Sequence, residues 1–180
     1  SLECVQVDDA NYSNTNWYSK DVQTYFSEDC GYDDTFVPDD NFEQALIDLG
    51  YDSGPLDNYV PTSNINSVTN LNVYNKNISD LTGIEDFASL DILKCRSNNL
   101  TSLNLSGNTL LTEVDCSLND ITSLSFGSNP LLERVHCFSN GMTSLNVSNN
   151  PELEYLNCAN NDLITLDVTN NTELVTLFCF

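Results

Sequence analysis

From residue 90 onward the apolar positions of the chain recur every 21 residues. Leu90, Leu111, Leu132, Leu153 and Leu174 each precede a cysteine by five positions, at Cys95, Cys116, Cys137, Cys158 and Cys179. Aligned on those cysteines, the blocks read LDILKCRSNNLTSLNLSGNTL, LTEVDCSLNDITSLSFGSNPL, LERVHCFSNGMTSLNVSNNPE and LEYLNCANNDLITLDVTNNTE, then the partial LVTLFCF. Positions 4 and 6 of each block are apolar and two apart, as in a strand with one buried face, so positions 3, 5 and 7 point outward. The same alternation returns at positions 14 and 16, as Leu103 and Leu105, Leu124 and Phe126, Leu145 and Val147, Leu166 and Val168. A fixed period of this length is the signature of stacked repeats, in which each unit buries its apolar face against its neighbours. The pattern predicts a mainly β solenoid of parallel strands, with one strand in each half-repeat.

Asparagine stands at position 9 (Asn98, Asn119, Asn140, Asn161) and at position 19 (Asn108, Asn129, Asn150, Asn171), where the chain leaves each strand. An amide there can bond backbone groups that a turn would otherwise bury unpaired, and its repetition makes a ladder. Upstream, a helix is predicted with Asp40 as N-cap and Glu43 three residues on as a capping box; Phe42, Ala45, Leu46 and Leu49 form its apolar stripe, and Gly50 ends it. The first coil of a solenoid has no neighbour to cover its core, so this helix is expected to cap it. Residues 52–64, rich in turn formers, are expected to loop around the cap.

On these motifs residues 90–180 resemble the leucine-rich repeat family, in its 21-residue nested (IRREKO) class, common in secreted and surface proteins of Bacteroidota. Residues 68–89 resemble a first repeat of the 22-residue internalin type, with apolar Val68, Leu71, Val73, Ile78, Leu81, Ile84 and Phe87; Lys76 stands where that repeat would carry asparagine. The stretch VPDDNFEQALIDLGY is also what precedes such arrays in the resembled family. The expected organisation is a tail or C-terminal cap of a preceding array at 1–36, a capping helix and loop at 37–67, and a repeat array at 68–180. The first assignment rests on Leu2-Glu3-Cys4, which reproduces positions 4 to 6 of a repeat. With a comparable break at Cys179, it leads to the expectation of a segment from a longer protein, one unit of a larger repetition.

The formal net charge is -22, from 27 acidic and five basic residues, and about half of the acids lie in residues 1–57. Such a field repels phosphate, so no nucleic acid partner is expected. No stretch has the length of a membrane span. Asp8 and Asp9, Asp33 and Asp34, Asp39 and Asp40, and the loop from Asp48 to Asp57 supply hard oxygen ligands that make calcium the one cation to consider, although none has EF-hand spacing. The five periodic cysteines are expected to be inward, buried free thiols, because parallel side chains on adjacent strands suit bridge geometry poorly. Cys4 and Cys30 lie outside this ladder; a disulfide between them would stabilise an aromatic cap by about 3 kcal/mol and implies an oxidising, extracellular setting.

Catalytic arrangements find no support in the spacing. His136 and Cys137 are adjacent, and alternation sends them to opposite faces, which excludes a dyad. The ladder offers single thiols in a line where zinc needs ligands converging on one point. What varies between repeats is the outward face: Ile92, Lys94, Arg96; Glu113, Asp115, Ser117; Arg134, His136, Phe138; Tyr155, Asn157, Ala159; Thr176, Phe178, Phe180. Three of the five basic residues and the single histidine fall there. Lys94, Arg96, Arg134, His136, Phe138 and Tyr155 are therefore the candidate ligand surface, Arg and aromatic side chains being the types enriched at binding hot spots. Stacking also places Lys94 beside Asp115, Asp115 beside His136 and Glu113 beside Arg134, pairs that would relieve repulsion on an acidic sheet. Arg96, Phe138 and Tyr155 have no such partner on the ladder.

The resemblance implies a non-catalytic extracellular recognition or adhesion module that binds a protein or a polysaccharide through the variable strand face. Two other roles fit the same repeats: a spacer or stalk unit that contacts neighbouring copies of itself, and a non-catalytic appendage of a secreted enzyme.

Overall fold

The computed structural model describes residues 34–180 in full, and the backbone of Cys4–Gln6 and Tyr25–Ser27. The chain divides into two compact units, Ser1–Asp34 and Thr35–Phe180. In the first, strands β1 (Cys4–Gln6) and β2 (Tyr25–Ser27) pair in parallel with Cys4 opposite Tyr25, an offset of one 21-residue period. Cys30 and the proposed bridge to Cys4 lie outside the described residues.

The cap follows. Strand β3 (Asp34–Phe36) is hydrogen-bonded to β4 (Tyr59–Pro61), with helix α1 (Asp40–Asp48) between them and a short helix α2 (Thr62–Ile65) directly after. Residues 52–64 are thus a loop only in part. The N-cap of α1 is Asp39, one residue before the expected Asp40, because the Asp39 carboxylate reaches both ends of a junction. One oxygen accepts the backbone N–H groups of Asn41 and Phe42 at 2.9 and 3.0 Å. The other accepts those of Ser79 and Asp80 at 2.8 and 3.1 Å, in the first turn of the array.

Glu43 forms no capping box. It is fully buried and turns the other way, accepting the backbone N–H groups of Asp57 and Asn58 at 2.7 and 3.0 Å. Phe42, Ala45 and Leu46 are buried as the stripe predicts, whereas Leu49 at the C-cap is 45% exposed. Lys76 bonds Asp48 at 2.9 Å; that contact, with the Gln44 amide, holds the Asp48 carboxyl below its ordinary range.

In the array, β5 (Asn70–Asn72), β6 (Ile92–Lys94), β8 (Glu113–Asp115), β10 (Arg134–His136), β11 (Tyr155–Asn157) and β12 (Thr176–Phe178) form one parallel sheet in that spatial order. Strands β7 (Ser102–Asn104) and β9 (Ser123–Ser125) form a second, and Asn146 bridges Asp167 in the same manner two turns on. Each half-repeat therefore supplies a strand or a bridge, as the double alternation predicts. The first repeat differs: its second half carries a 3-10 turn at Ile84–Asp86, entered through Gly83 at φ 98°. A Cβ on Gly83 would stand 2.8 Å from the Phe36 carbonyl oxygen, so glycine lets the array approach the cap strand.

The asparagines are the turn-to-turn fasteners. The Asn119 side chain accepts the Leu100 backbone N–H at 3.1 Å and donates to the carbonyls of Cys95, Cys116 and Ser117 at 3.1, 3.0 and 3.3 Å. Asn98, Asn140 and Asn161 make the corresponding bonds. In the first turn, with Lys76 in place of asparagine, the backbone N–H of residue 76 stays paired: Asn98 of the next turn accepts it at 3.0 Å. The residue before each of these asparagines is left-handed (Ser97, Leu118, Ser139, Asn160; φ 53 to 57°), which turns the chain so that the amide points inward.

Cys95, Cys116, Cys137 and Cys158 are free and buried among Leu93, Val114, Val135 and Leu156; Cys179, on the outermost described turn, is free but exposed, against expectation. Burial pushes the Cys116 thiol from its ordinary 9.0 up to about 12, and burial followed by the nearby Cys179 raises Cys158 to about 11. An unfolded chain would ionise these thiols near pH 9 while the fold keeps them protonated. The Cys116 contribution is intact below pH 9 and is lost as pH rises from 9 toward about 12, by up to about 1.4 kcal/mol per pH unit. Urea midpoints should fall steeply across that window, and less steeply in Cys116→Ala. At pH 8, alkylation of the native protein followed by mass mapping should mark Cys179 alone among the ladder thiols; equal marking of Cys116 would contradict the burial.

Candidate functional site: the outward strand face

The register converts positions 3 and 5 of the repeats into rows across the sheet. One row runs Asn70, Ile92, Glu113, Arg134, Tyr155, Thr176; the other runs Asn72, Lys94, Asp115, His136, Asn157, Phe178. All six candidate residues lie on this face, and the structure groups five of them by ring and charge contacts. Arg134 places its guanidinium 5.0 Å from the centroid of the Tyr155 ring. His136 stands 4.7 Å from the same ring at 33°, and Phe178 stands 6.0 Å from it on the far side. Arg96 lies over Phe138, 5.3 Å from the centroid, although a whole turn intervenes.

That last contact depends on Ser117. It occupies position 7 of the intervening repeat, is fully buried, and leaves room for the arginine to span it. Ser117 in turn donates its backbone N–H, at 3.1 Å, and its hydroxyl to Asp115 Oδ1, fixing that carboxylate along its own strand.

The expected ladder of charge pairs is therefore rearranged. Asp115 is adjacent to Lys94 and His136 in register but bonds Ser117; Lys94 instead approaches Glu113, at 3.9 Å. Arg134 turns from Glu113 toward Tyr155, because an aromatic face attracts a cation and costs it less desolvation than a fixed ion pair. Arg96, Phe138 and Tyr155, unpaired by sequence, do have partners: aromatic or cationic ones. Among the described residues neither arginine makes an ion pair, although acids outnumber bases by 27 to five in the chain.

Sequence reasoning missed Tyr74. It holds position 7 of the first, 22-residue repeat, and extending the outward row by one turn would have found it. Tyr74, Asn72, Lys94, Arg96 and Asp115 line a hollow of about 370 Å³ at the cap end of the face. A second hollow, of about 380 Å³, lies by Asp80, Glu85 and Ser102. Its carboxylates are engaged locally: Asp80 accepts the N–H and hydroxyl of Thr82, and Glu85 accepts the N–H of Gly83. Of the acids raised as calcium ligands, Asp39, Asp48 and Asp57 are likewise bonded, to backbone N–H groups or to Lys76. Among the described residues no three metal-ligating side chains converge. His136 sits on the outer face and Cys137 is fully buried, so the two do not meet.

Parallel strands at a 21-residue spacing, an inward cysteine and leucine register, and asparagine-bonded turns make this a leucine-rich repeat solenoid. The chain is 38% identical over 74 residues to Internalin J of Listeria monocytogenes, a stretch that is 41% of this chain and 8% of that protein. It also superposes on the solved functional domain of InlJ from Listeria monocytogenes, which includes a cysteine ladder, with a TM-score of 0.73 and 37% identity over 81% of this chain and 33% of that one. The crystal structure of internalin C2 from the same species shares the fold at 20% identity, with a TM-score of 0.53 over 80% of this chain and 75% of its own. No family model matches the chain. No helix among the described residues is long and apolar enough to cross a membrane.

Proposed function

We propose that this chain is a non-catalytic recognition module of a secreted or surface protein, binding a protein partner through the outward face of its six-stranded sheet. The observation that carries the reading is the cluster around Tyr155, where Arg134, His136 and Phe178 gather on one ring while the backbone beneath is rigidly stacked. Pre-ordered aromatic and arginine side chains lose little conformational entropy on binding, which is why such residues carry most of the affinity at interfaces. By contrast, the second sheet presents serine and asparagine: Ser102, Asn104, Ser123 and Ser125 are all exposed. The similarity to Internalin J supports placing the module outside the cell. In this reading the repeats belong to the nested 21-residue class of Bacteroidota surface proteins, and the first unit is the tail of a preceding array, supported by the 21-residue offset of Cys4 and Tyr25 and ending before residue 36 because Asp34–Phe36 pairs within the cap.

The test is a screen of the chain against arrayed extracellular proteins and polysaccharides, followed by Phe138→Ala and Tyr155→Ala. A protein hit that each variant weakens about tenfold or more, with an unfolding free energy from urea titration within about 0.5 kcal/mol of the parent, supports the reading. Hits confined to polysaccharides, or untouched by either substitution, would end it. Concentration-dependent self-association with no other hit would favour the spacer role.

A further inference from the structure

The hollow beside the cap has an imbalance of hydrogen-bonding groups. Asn72 Oδ1 accepts the Tyr74 backbone N–H at 3.2 Å, which fixes the orientation of its amide and leaves the NH2 group as the end turned to other partners. Lys94 contributes an ammonium group at the end of a side chain 42% exposed, and its nearest carboxylate is 3.9 Å away. Tyr74 is 53% exposed and contributes a hydroxyl. Arg96 contributes a guanidinium, and its Nε is shut off from solvent with no acceptor. Asp115 is the acidic side chain lining the hollow, and its Oδ1 already accepts twice from Ser117. Donors thus outnumber available acceptors, and a buried N–H without a partner carries a desolvation cost that an incoming acceptor relieves.

We propose that this corner is a carboxylate subsite, taking a glutamate or aspartate side chain of the protein partner; the inference rests on the protein-recognition reading above. Phe138 holds the Arg96 guanidinium by its face, so the N–H edge is pre-oriented, and a planar fork of donors matches the two oxygens of a carboxylate. Lys94 supplies the second positive charge. Glu113 and Asp115 stand close enough to penalise a dianion, so a single negative charge fits better than a phosphate group. The overall charge of -22 does not forbid an acidic ligand: at physiological ionic strength charges are screened over about 8 Å, and the local corner decides. Chain segments flanking the bound acid would run along the face toward Phe138 and Tyr155.

The experiment is a titration of the isotope-labelled full chain with capped tetraglutamate, capped tetraglutamine and inorganic sulfate, followed by amide resonances. Tetraglutamate should move the signals of Tyr74, Lys94 and Arg96, with tetraglutamine binding about tenfold more weakly. Arg96→Gln should cost about tenfold in tetraglutamate affinity, and Arg96→Lys, which keeps the charge without the fork, should fall between. An unchanged spectrum away from residue 96 controls for folding in both variants. Equal responses to the two peptides, or indifference to Arg96→Gln, would overturn the subsite. Sulfate acting at lower concentration than the peptide would also overturn it, in favour of a polyanionic sugar. If the subsite fails while Tyr155→Ala still abolishes partner binding, the recognition face stands without it.

Discussion

Asn119→Ala is expected to destabilise the protein by about 2 to 4 kcal/mol, more than the loss of a methyl-sized volume would explain. The amide makes four bonds to three successive segments of backbone, and all four lie in the interior. Alanine would leave the Leu100 N–H without its partner, while the Cys95 and Cys116 carbonyls would lose one of two bonds, since Asn98 and Asn140 also donate to them. An orphaned buried N–H costs about 1 to 3 kcal/mol, and the bonds lost at carbonyls that stay paired add about 1 more, which sets the range. Asn170→Ala is the control, since that exposed side chain makes one long bond of 3.4 Å to Ser148 and should change stability by less than about 0.5 kcal/mol. Urea denaturation of the two variants beside the parent is the measurement. Equal midpoints would mean that the ladder is decorative.

Phe42→Ala is expected to cost about 3 to 5 kcal/mol, and to do so at one end. Phe42 is fully buried and stacks on Phe87 at 6.4 Å and 26°, joining the cap helix to the first repeat. Among the described residues of the cap, Phe42 is the one fully buried aromatic side chain. In a stacked array each turn leans only on its neighbours, so the loss should loosen Asn70–Asn72 first and spread weakly beyond it. Hydrogen exchange should show protection falling across β5 and α1 while β10 and β11 hold theirs. Uniform loss along the array would indicate that the cap and the repeats unfold as one block.

The facing of residues in the array was legible because the sequence states it five times. A leucine or valine and a cysteine two apart, repeated at 21, leave one register that buries both. The cap was legible as a helix, but its bonds were not: Asp39 reaches Ser79 and Glu43 reaches Asp57, and such pairings depend on how distant segments dock. For the site, the period alone aligned Arg134 with Tyr155 and Lys94 with Asp115. Which neighbour each side chain chose was not readable, since Arg96 meets Phe138 only because Ser117 is small and Asp115 is held by the same serine. Cys179 and Leu49 failed the inward expectation for a simpler reason, that each sits where the stacking of described turns or the reach of the helix ends.

The claim that alternation divides the molecule into a core face and a recognition face is tested most directly by side-chain footprinting of the chain with and without a captured partner. Protection should concentrate on Tyr74, Phe138, Tyr155 and Phe178 and spare the second sheet around Ser102–Asn104 and Ser123–Ser125. Protection centred on that second sheet or on the cap helix, with Tyr155 equally reactive in both states, would contradict it.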